Sequence, residues 1–240
     1  MHRGMIVGFA FVNLALVSPR AFAQGAEVTA HVVVHDKVAT AHHKGNLSPG
    51  DVVAWLTPLQ PDGRPASAGH SGPFRLVQKD KMFTPHLLVV PTGSSVEFPN
   101  QDPFFHNVFS LFNGKRFDLG LYESGKSRAV RFDREGASYI FCNIHPEMGA
   151  IVLALSTPYY AVSGADGALT IHNVPPGSYH LHLWSEAAEL ANPADAGRIV
   201  QVAQGPAHLG DINLTAIANP MAHHTNKFGE EYHPTHDNPY

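Results

Sequence analysis

Short runs of apolar residues, alternating with polar ones, recur along most of this chain. They are rich in Val, Ile and aromatic residues and are separated by Gly, Pro, Asn and Asp, which is typical of β-strands joined by turns. No segment keeps a helical period over several turns, so the pattern predicts an all-β sandwich or barrel. The predicted strands are 28–34, 51–56, 86–90, 95–98, 129–132, 138–142 and 150–155.

Two shifts in composition divide the chain. A loop rich in Pro, Gly and Ser occupies 60–72, and a new pattern of Asp-Gly and Pro-Pro-Gly turns begins near residue 158. The part after residue 158 has too few strands for a sandwich, so we expect the N-terminal strands to complete it around an inserted middle domain. The expected divisions are a leader at 1–23, N-terminal strands at 24–72, a middle domain at 73–157, a smaller sandwich at 158–217 and a loose His-rich tail at 218–240.

The first 23 residues have the features of a secretory signal peptide. Met1-His2-Arg3 is a basic start, 5–17 is almost wholly apolar, and Ala21-Phe22-Ala23 is an A-x-A cleavage site. This apolar run is shorter than the ~18 residues that a transmembrane helix needs, and no later run reaches that length. We expect an exported protein that begins at Gln24, has no integral membrane segment, and is periplasmic where the host has an outer membrane.

The composition of the chain bears on its partners and on the role of its single cysteine. Asp and Glu (20) outnumber Lys and Arg (16), for a formal net charge of −4, which argues against a nucleic-acid partner. Cys142 is the only cysteine, so it cannot form an internal disulfide. It is therefore an intermolecular bridge, a reactive thiol, a buried inert thiol or a metal ligand.

Two stretches supply a candidate metal site around this cysteine. F-P-N-Q-D-P-F-F-H-N-V-F-S contains His106, and F-C-N-I-H-P-E-M places Cys142, His145 and Met148 in Cys-x₂-His-x₂-Met spacing. A thiolate, two imidazoles and a weak axial thioether form the trigonal ligand set of blue-copper sites. Zinc also suits Cys and His, but the thioether favours copper. The sequence therefore predicts one copper bound by His106, Cys142, His145 and Met148.

The block that contains these residues resembles a cupredoxin of the amicyanin type. It reads F-x-P-H-x-L-V-V-P-x-G-S-x-V-x-F-P-N-Q-D-x-x-x-H-N-V-F-S at 83–110, and Pro146 follows the second His as in the amicyanin ligand loop. Asn107 also follows the first His, and the likeness spans 74–157. With F-D-L-G-L-Y at 117–122, the whole chain is similar to exported proteins of the methylamine utilisation group, a label that does not carry a pathway with it.

This resemblance implies a Greek-key β-sandwich with one type-1 copper and a role in electron transfer. It implies that one edge of His145 reaches solvent within an apolar patch where a redox partner docks transiently. The residues expected to build the patch are Pro146, Met148, Pro103 and Phe104.

A second stretch, A-D-G-A-L-T-I-H-N-V-P-P-G-S-Y-H-L-H-L-W at 165–184, resembles the carboxypeptidase regulatory-like module, a small transthyretin-like β-sandwich. Asp-Gly and Pro-Pro-Gly form its turns, while Tyr179, Leu181 and Leu183 alternate onto its core face. The resemblance implies a module that binds or spaces.

Enzymatic activity is not expected. Multicopper oxidases and copper nitrite reductases place His beside the ligand Cys, where this chain has Phe141 and Asn143. His180-Leu181-His182 has no partner H-x-H motif and is expected on a solvated or edge strand.

The remaining histidines are not expected to bind the metal. His86 is predicted to be a non-ligand, and the set His42, His43, His223, His224, His233 and His236 is predicted to be solvated. We therefore interpret the chain as an exported blue-copper protein that exchanges electrons with unidentified redox partners. A copper-handling protein without redox partners and a non-redox binding module remain the alternatives.

Overall fold

The computed structural model describes residues 25–36, 49–60, 72–111, 114–218 and 224–232. Within these ranges the chain is almost entirely β-strand, and the one helical segment is the 3₁₀ turn Pro193–Asp195. No helix of this part of the chain is long and apolar enough to cross a bilayer. The predicted all-β class is confirmed.

Eighteen strands make up the described structure, and each of the seven predicted strands corresponds to one of them with ends shifted by at most two residues. In chain order they are β1 (Ala26–His35), β2 (Val53–Pro58), β3 (Phe74–Arg75), β4 (Val77–Lys79), β5 (Met82–Thr84), β6 (Leu87–Pro91), β7 (Ser94–Pro99), β8 (His106–Ser110), β9 (Phe117–Tyr122), β10 (Ser127–Phe132), β11 (Gly136–Cys142), β12 (Gly149–Leu155), β13 (Tyr160–Val162), β14 (Ala168–Val174), β15 (Gly177–Trp184), β16 (Ala188–Leu190), β17 (Ile199–Val202) and β18 (Ala207–Ala216).

The strands from β3 to β12 form what we call the middle sandwich. One sheet has the order β10-β7-β3 and the other β6-β12-β11-β8-β9, while β4 and β5 form a separate hairpin. Alternate residues of the strands meet in one apolar cluster, because side chains alternate between the faces of a sheet. Its largest fully buried members include Phe98, Tyr122, Phe132, Ile140 and Met148.

The remaining strands form what we call the outer sandwich, with sheets β14-β1-β18-β16 and β13-β2-β15-β17. Strand β1 is antiparallel to β14 and parallel to β18, so the N-terminal strands take part in sheets made with the second half of the chain. The chain leaves this sandwich after β2 and returns to it at β13, which pairs directly with β2. The boundaries 73–157 and 158–217 stay a prediction.

The two sandwiches stack face to face, so that four sheets form four layers. Strand β12 is apolar throughout and buried on both sides: Val152 lies in the middle core, whereas Leu153 and Leu155 pack against Val53 of β2. Strand β2 is also covered on both faces, because Leu56, on the face opposite to Val53, lies in the apolar core of the outer sandwich. Continuous apolar runs of this kind are typical of strands that are covered on both faces.

The described part of the C-terminal tail, residues 224–232, makes hydrogen bonds of its own. Residues 224–232 include a turn closed by Asn226, whose side-chain oxygen accepts hydrogen bonds from the N–H groups of Phe228 (2.9 Å) and Glu230 (3.0 Å). That the tail is loose stays a prediction.

An ion pair links the two sandwiches at their junction. His86, just before β6, donates from Nε2 to Glu186 at 2.6 Å and from Nδ1 to the Gly149 carbonyl at 3.2 Å. The hydrogen bond to Glu186 raises the pKa of His86, against the opposing effect of burial. Both ring nitrogens of His86 are thus engaged within the protein.

Glu186→Gln should therefore destabilise the protein in a pH-dependent manner. A raised His pKa contributes stability that is complete below the ordinary value of ~6.5 and is lost as the pH rises through the folded value. Because the His86 side chain is 51% exposed, the loss at pH 6 should be only about 0.5 kcal/mol, and smaller at pH 9. Urea unfolding at both pH values measures it.

The exposed Glu123 provides the control, since Glu123→Gln removes a carboxylate from the turn after β9. Equal losses at pH 6 and pH 9 for Glu186→Gln would show that the pair does not titrate as described.

Candidate metal centre

His106 begins β8, a strand whose five residues are all buried. The turn before it is organised by Asn100, whose Oδ1 accepts the Asp102 N–H at 2.9 Å and whose Nδ2 donates to the Phe104 carbonyl at 2.8 Å. Asn side chains favour such turns because they hydrogen-bond to nearby backbone. The imidazole consequently enters the core from a fixed turn and is itself fully buried.

Cys142 ends β11, and the loop that follows it folds back on itself. The Cys142 N–H donates to the Met148 carbonyl at 3.3 Å, and the Met148 N–H donates to the His145 carbonyl at 3.1 Å. The Asn143 N–H reaches across to the Asn107 carbonyl at 3.0 Å. The loop is therefore tied both to itself and to the strand of His106.

Three donor atoms converge where these elements meet. The Cys142 Sγ lies 3.6 Å from His106 Nδ1 and 3.5 Å from His145 Nδ1, and the two Nδ1 atoms are 3.1 Å apart. A point equidistant from the three atoms lies about 2 Å from each, which matches metal–imidazole and metal–thiolate bonds of about 2.0–2.3 Å. Among the described residues this is the one group of three His, Cys, Asp or Glu side chains with such spacing. The donor set fits a soft metal ion.

Met148 is also in the core, fully buried in the same apolar cluster as Cys142. It therefore cannot contribute to a surface patch, which corrects the expectation that it lines a docking surface. The hydrogen bonds of its backbone keep it at the end of the ligand loop.

Burial is the largest cause of the pKa shifts of His106, Cys142 and His145. It lowers the pKa of His106, against the opposing hydrogen bond to Asp102, and it lowers the pKa of His145. It raises the pKa of Cys142, although the N–H groups of Asn107, Ile144 and His145 favour the thiolate. The metal-free centre thus holds neutral imidazoles and a thiol, and metal binding must release the thiol proton.

Asp102 is a functional residue that the sequence interpretation missed. Its Oδ2 accepts the His106 Nε2–H at 2.8 Å, which leaves Nδ1 of that ring unprotonated and facing the centre. Burial acts to raise the pKa of Asp102, but hydrogen bonds from His106, Lys81 and Asp80 outweigh it and the pKa is lowered. The Asp-x₃-His spacing directly after a turn was the available signal.

The same carboxylate also holds the β4–β5 hairpin. Asp80 and Lys81 form its two-residue turn with φ of 55° and 54°, a left-handed conformation that normally favours Asn-Gly. The N–H groups of these two residues donate to Asp102 at 2.6 and 3.1 Å. The buried Asp102 carboxylate therefore binds both the strained turn of the hairpin and the imidazole of His106.

Phe104 covers the outer end of the centre. Its ring centroid lies 5.3 Å from that of His106 and 5.3 Å from that of His145. His145 is only 5% exposed, so little of it reaches solvent. Phe104 is itself half-buried, and an aromatic ring separates the imidazoles from water.

The other candidate histidines lie elsewhere. His180 and His182 lie on β15, an interior strand of its sheet, so the edge-strand alternative is wrong, and both residues are partly exposed. His182 stacks on Trp55 at 5.2 Å and contacts the Thr57 hydroxyl at 2.7 Å. His224 stacks on Phe141. The predictions for His42, His43, His223, His233 and His236, and for the signal peptide, lie outside the described residues.

The fold and its donor set define a candidate Cys/His₂ metal centre in an all-β protein. No family model matches the chain, and no curated protein matches it. Among solved structures it is similar to a purple cupredoxin from Nitrosopumilus maritimus, with 23% identity, 34% of this chain and 99% of that chain covered, and a TM-score of 0.31.

Two further solved structures show comparable similarity. For the reduced Cu(I) form of an amicyanin mutant the identity is 18%, with 42% of this chain and 98% of that chain covered and a TM-score of 0.33. For the Cu-containing nitrite reductase from Thermus scotoductus SA-01 it is 24%, with 41% of this chain and 27% of that chain covered and a TM-score of 0.34. The chain thus spans about a quarter of the reductase.

Proposed function

We propose that this chain is an exported cupredoxin that holds one type-1 copper and carries single electrons between redox partners. The convergence of His106, Cys142 and His145, all buried, within 3.6 Å of one another supports this most strongly. Met148, buried in the same apolar cluster as Cys142, would complete the His₂Cys-Met donor set of blue-copper proteins. Bound copper would supply a one-electron couple between Cu(II) and Cu(I).

In this function the fold fixes the positions of the metal-binding side chains. His106 is held by Asp102 on its far side, and the loop of Cys142 and His145 is held by hydrogen bonds to β8 and within itself. Donors that are positioned in this way need little rearrangement when the charge at the centre changes. Low rearrangement suits a carrier that must accept and release an electron quickly.

Electron exchange is proposed to occur through the end covered by Phe104. The exposed neighbours of Phe104 and His145 along the chain are Pro103, Phe105, Ile144 and Pro146. The Lys81 ammonium lies 5.4 Å from the centroid of the Phe104 ring, so this surface combines apolar residues with one cation. A small surface of this kind suits the low-area, transient contacts of redox partners. In this proposal the electron crosses the Phe104 contact, because His145 itself is almost wholly covered.

The neighbours of Cys142 support a carrier more than an enzyme. Phe141 packs against Phe109, with ring centroids 6.0 Å apart, and the Asn143 side chain binds the backbone of Lys227. Neither position offers an imidazole that could connect the centre to a second metal. We propose that catalysis is not the role of this site.

The outer sandwich is proposed to be a carboxypeptidase regulatory-like module that spaces or docks the copper-binding part. Its Asp-Gly turn and Pro-Pro-Gly turn precede β14 and β15, and Tyr179 and Leu181 lie in its core. Export to the periplasm is proposed from the leader sequence alone.

Voltammetry of the copper-loaded mature chain, residues 24–240, tests the function. We expect a reversible one-electron couple and rapid electron exchange between oxidised and reduced molecules, seen as NMR line broadening. The Zn(II)-loaded chain is the control, because zinc has no redox chemistry. Copper uptake without a reversible couple, with release of the ion to a chelator, would favour the copper-handling alternative. No copper uptake would leave the binding-module interpretation.

A further inference from the structure

A segment beyond the last strand packs against the outer side of the metal centre. Residues 224–232, which we call the C-terminal brace, lie on β11, where His224 stacks on Phe141 with ring centroids 4.0 Å apart and an interplanar angle of 15°. The Tyr232 ring lies 5.2 Å from that of His224. Because Phe141 and Cys142 point to opposite faces of β11, the brace covers the side of the strand away from the thiol.

The brace donates hydrogen bonds to two consecutive residues of the ligand loop, Cys142 and Asn143. The Tyr232 hydroxyl donates to the Cys142 carbonyl at 2.9 Å. The Lys227 backbone N–H donates to the Asn143 Oδ1, also at 2.9 Å. The brace thus holds the residue that carries the thiol and the residue that follows it.

A third contact reaches the strand of His106. The Lys227 ammonium pairs with Asp118 Oδ2 at 2.8 Å, and the other oxygen of that carboxylate accepts the Asn107 Nδ2–H at 2.6 Å. Asn107 directly follows His106 and accepts the Asn143 N–H through its carbonyl at 3.0 Å. Lys227, Asp118, Asn107 and Asn143 therefore form a closed ring of contacts that joins the two ligand-bearing segments.

We propose that Tyr232 and Lys227 are positioning residues of the metal centre. This inference rests on the proposed function in requiring that His106, Cys142 and His145 bind a metal ion. The ion needs the two segments at one fixed separation, and the brace holds the same two segments from outside. Metal binding and docking of the brace consequently stabilise each other, and the linkage acts equally in both directions.

Variants of the full mature chain test this inference. We expect the double variant Tyr232→Phe with Lys227→Gln to bind Cu(I) about tenfold more weakly, as loss of outer-shell support typically does, in competition with a colorimetric chelator. The thiolate-to-Cu(II) absorption band should shift or broaden in the same variant. Lys227→Arg, which keeps the charge beside Asp118, should behave like the wild type, as should Glu231→Gln at an exposed position of the brace.

Hydrogen exchange measures the reverse direction. In the wild-type chain, the backbone amide of Lys227, which donates to Asn143, should exchange about tenfold more slowly with Cu(I) bound than without it, because the linkage is reciprocal. Exchange rates that do not respond to Cu(I) would overturn the inference.

A merely structural tail would give a different result. It would lower the melting temperature of the metal-free double variant while leaving the Cu(I) affinity and the absorption band at wild-type values, which overturns the inference. If the double variant fails to fold, each single variant tests one contact with an expected change of about threefold. The two proposals can fail separately. If the double variant binds copper more weakly but the wild type shows no reversible redox couple, the electron-carrier function is contradicted and the positioning role of Tyr232 and Lys227 is supported.

Discussion

Cys142→Ser should abolish the intense thiolate-to-copper absorption band of the copper-loaded protein. The thiolate is the softest donor of the set and the source of that band, and a hydroxyl is a poor ligand for copper. The affinity for Cu(I) should fall by more than the ~100-fold that loss of an outer-shell partner costs. Visible absorption during titration of the mature chain with Cu(II) measures the first effect, and chelator competition measures the second.

The serine differs from the native residue by one atom, so the fold can be checked independently. Far-UV circular dichroism and the melting temperature of the metal-free variant should stay close to those of the wild type. Replacing the exposed Ser127 at the start of β10 by Ala gives a matched surface control that keeps the band. A faint band that is identical in wild type and Cys142→Ser would mean that Cys142 is not a copper ligand.

Asp102→Ala should weaken both the fold and the metal centre. The buried carboxylate accepts from His106, Asp80 and Lys81, and all three donors lose their acceptor at once. We expect the free energy of unfolding to fall by about 3 kcal/mol, because charge-assisted hydrogen bonds contribute about 1.5–3 kcal/mol each and water replaces them in part. Copper affinity should fall about 10–100-fold as His106 loses its orientation.

Denaturant unfolding of the metal-free protein and chelator competition separate these two effects. Asp102→Asn should restore only part of the lost stability, since the amide oxygen replaces one carboxylate oxygen while the amide NH₂ faces the remaining N–H donors, and it should still lose copper affinity. Asp133→Asn removes an exposed carboxylate that pairs with Lys115 and serves as the control. Wild-type copper affinity in Asp102→Ala would show that His106 is oriented by its strand alone.

The strands and the candidate ligands could be predicted because each depends on a pattern of residues that are close in the sequence. Alternation and turn residues located the strands, and the short spacing from Cys142 to Met148 located three candidate ligands on one loop. His106 could be added because a turn and an extended run flank it on the chain. The donor convergence then required only that β8 and β11 be neighbours, which they are.

Features that depend on long-range contacts were not predictable in this way. Asp102 is four residues from His106, yet its other partners, Asp80 and Lys81, are on a distant hairpin. The burial of His145 depends on where the Phe104 ring lies, and composition does not determine that. Lys227 and Tyr232 stand in a polar segment whose contacts lie about 80 to 110 residues away along the chain.

The four-layer stack has a consequence for how the middle sandwich could be studied on its own. Residues 73–157 lie in the chain between β2 and β13, which pair with each other, and their face at Ile151, Leu153 and Leu155 is covered by the outer sandwich. Excised alone, this part would present a flat apolar sheet face to water, which favours self-association and precipitation. A recombinant fragment without the outer sandwich is therefore expected to self-associate, whereas the full chain keeps this face covered.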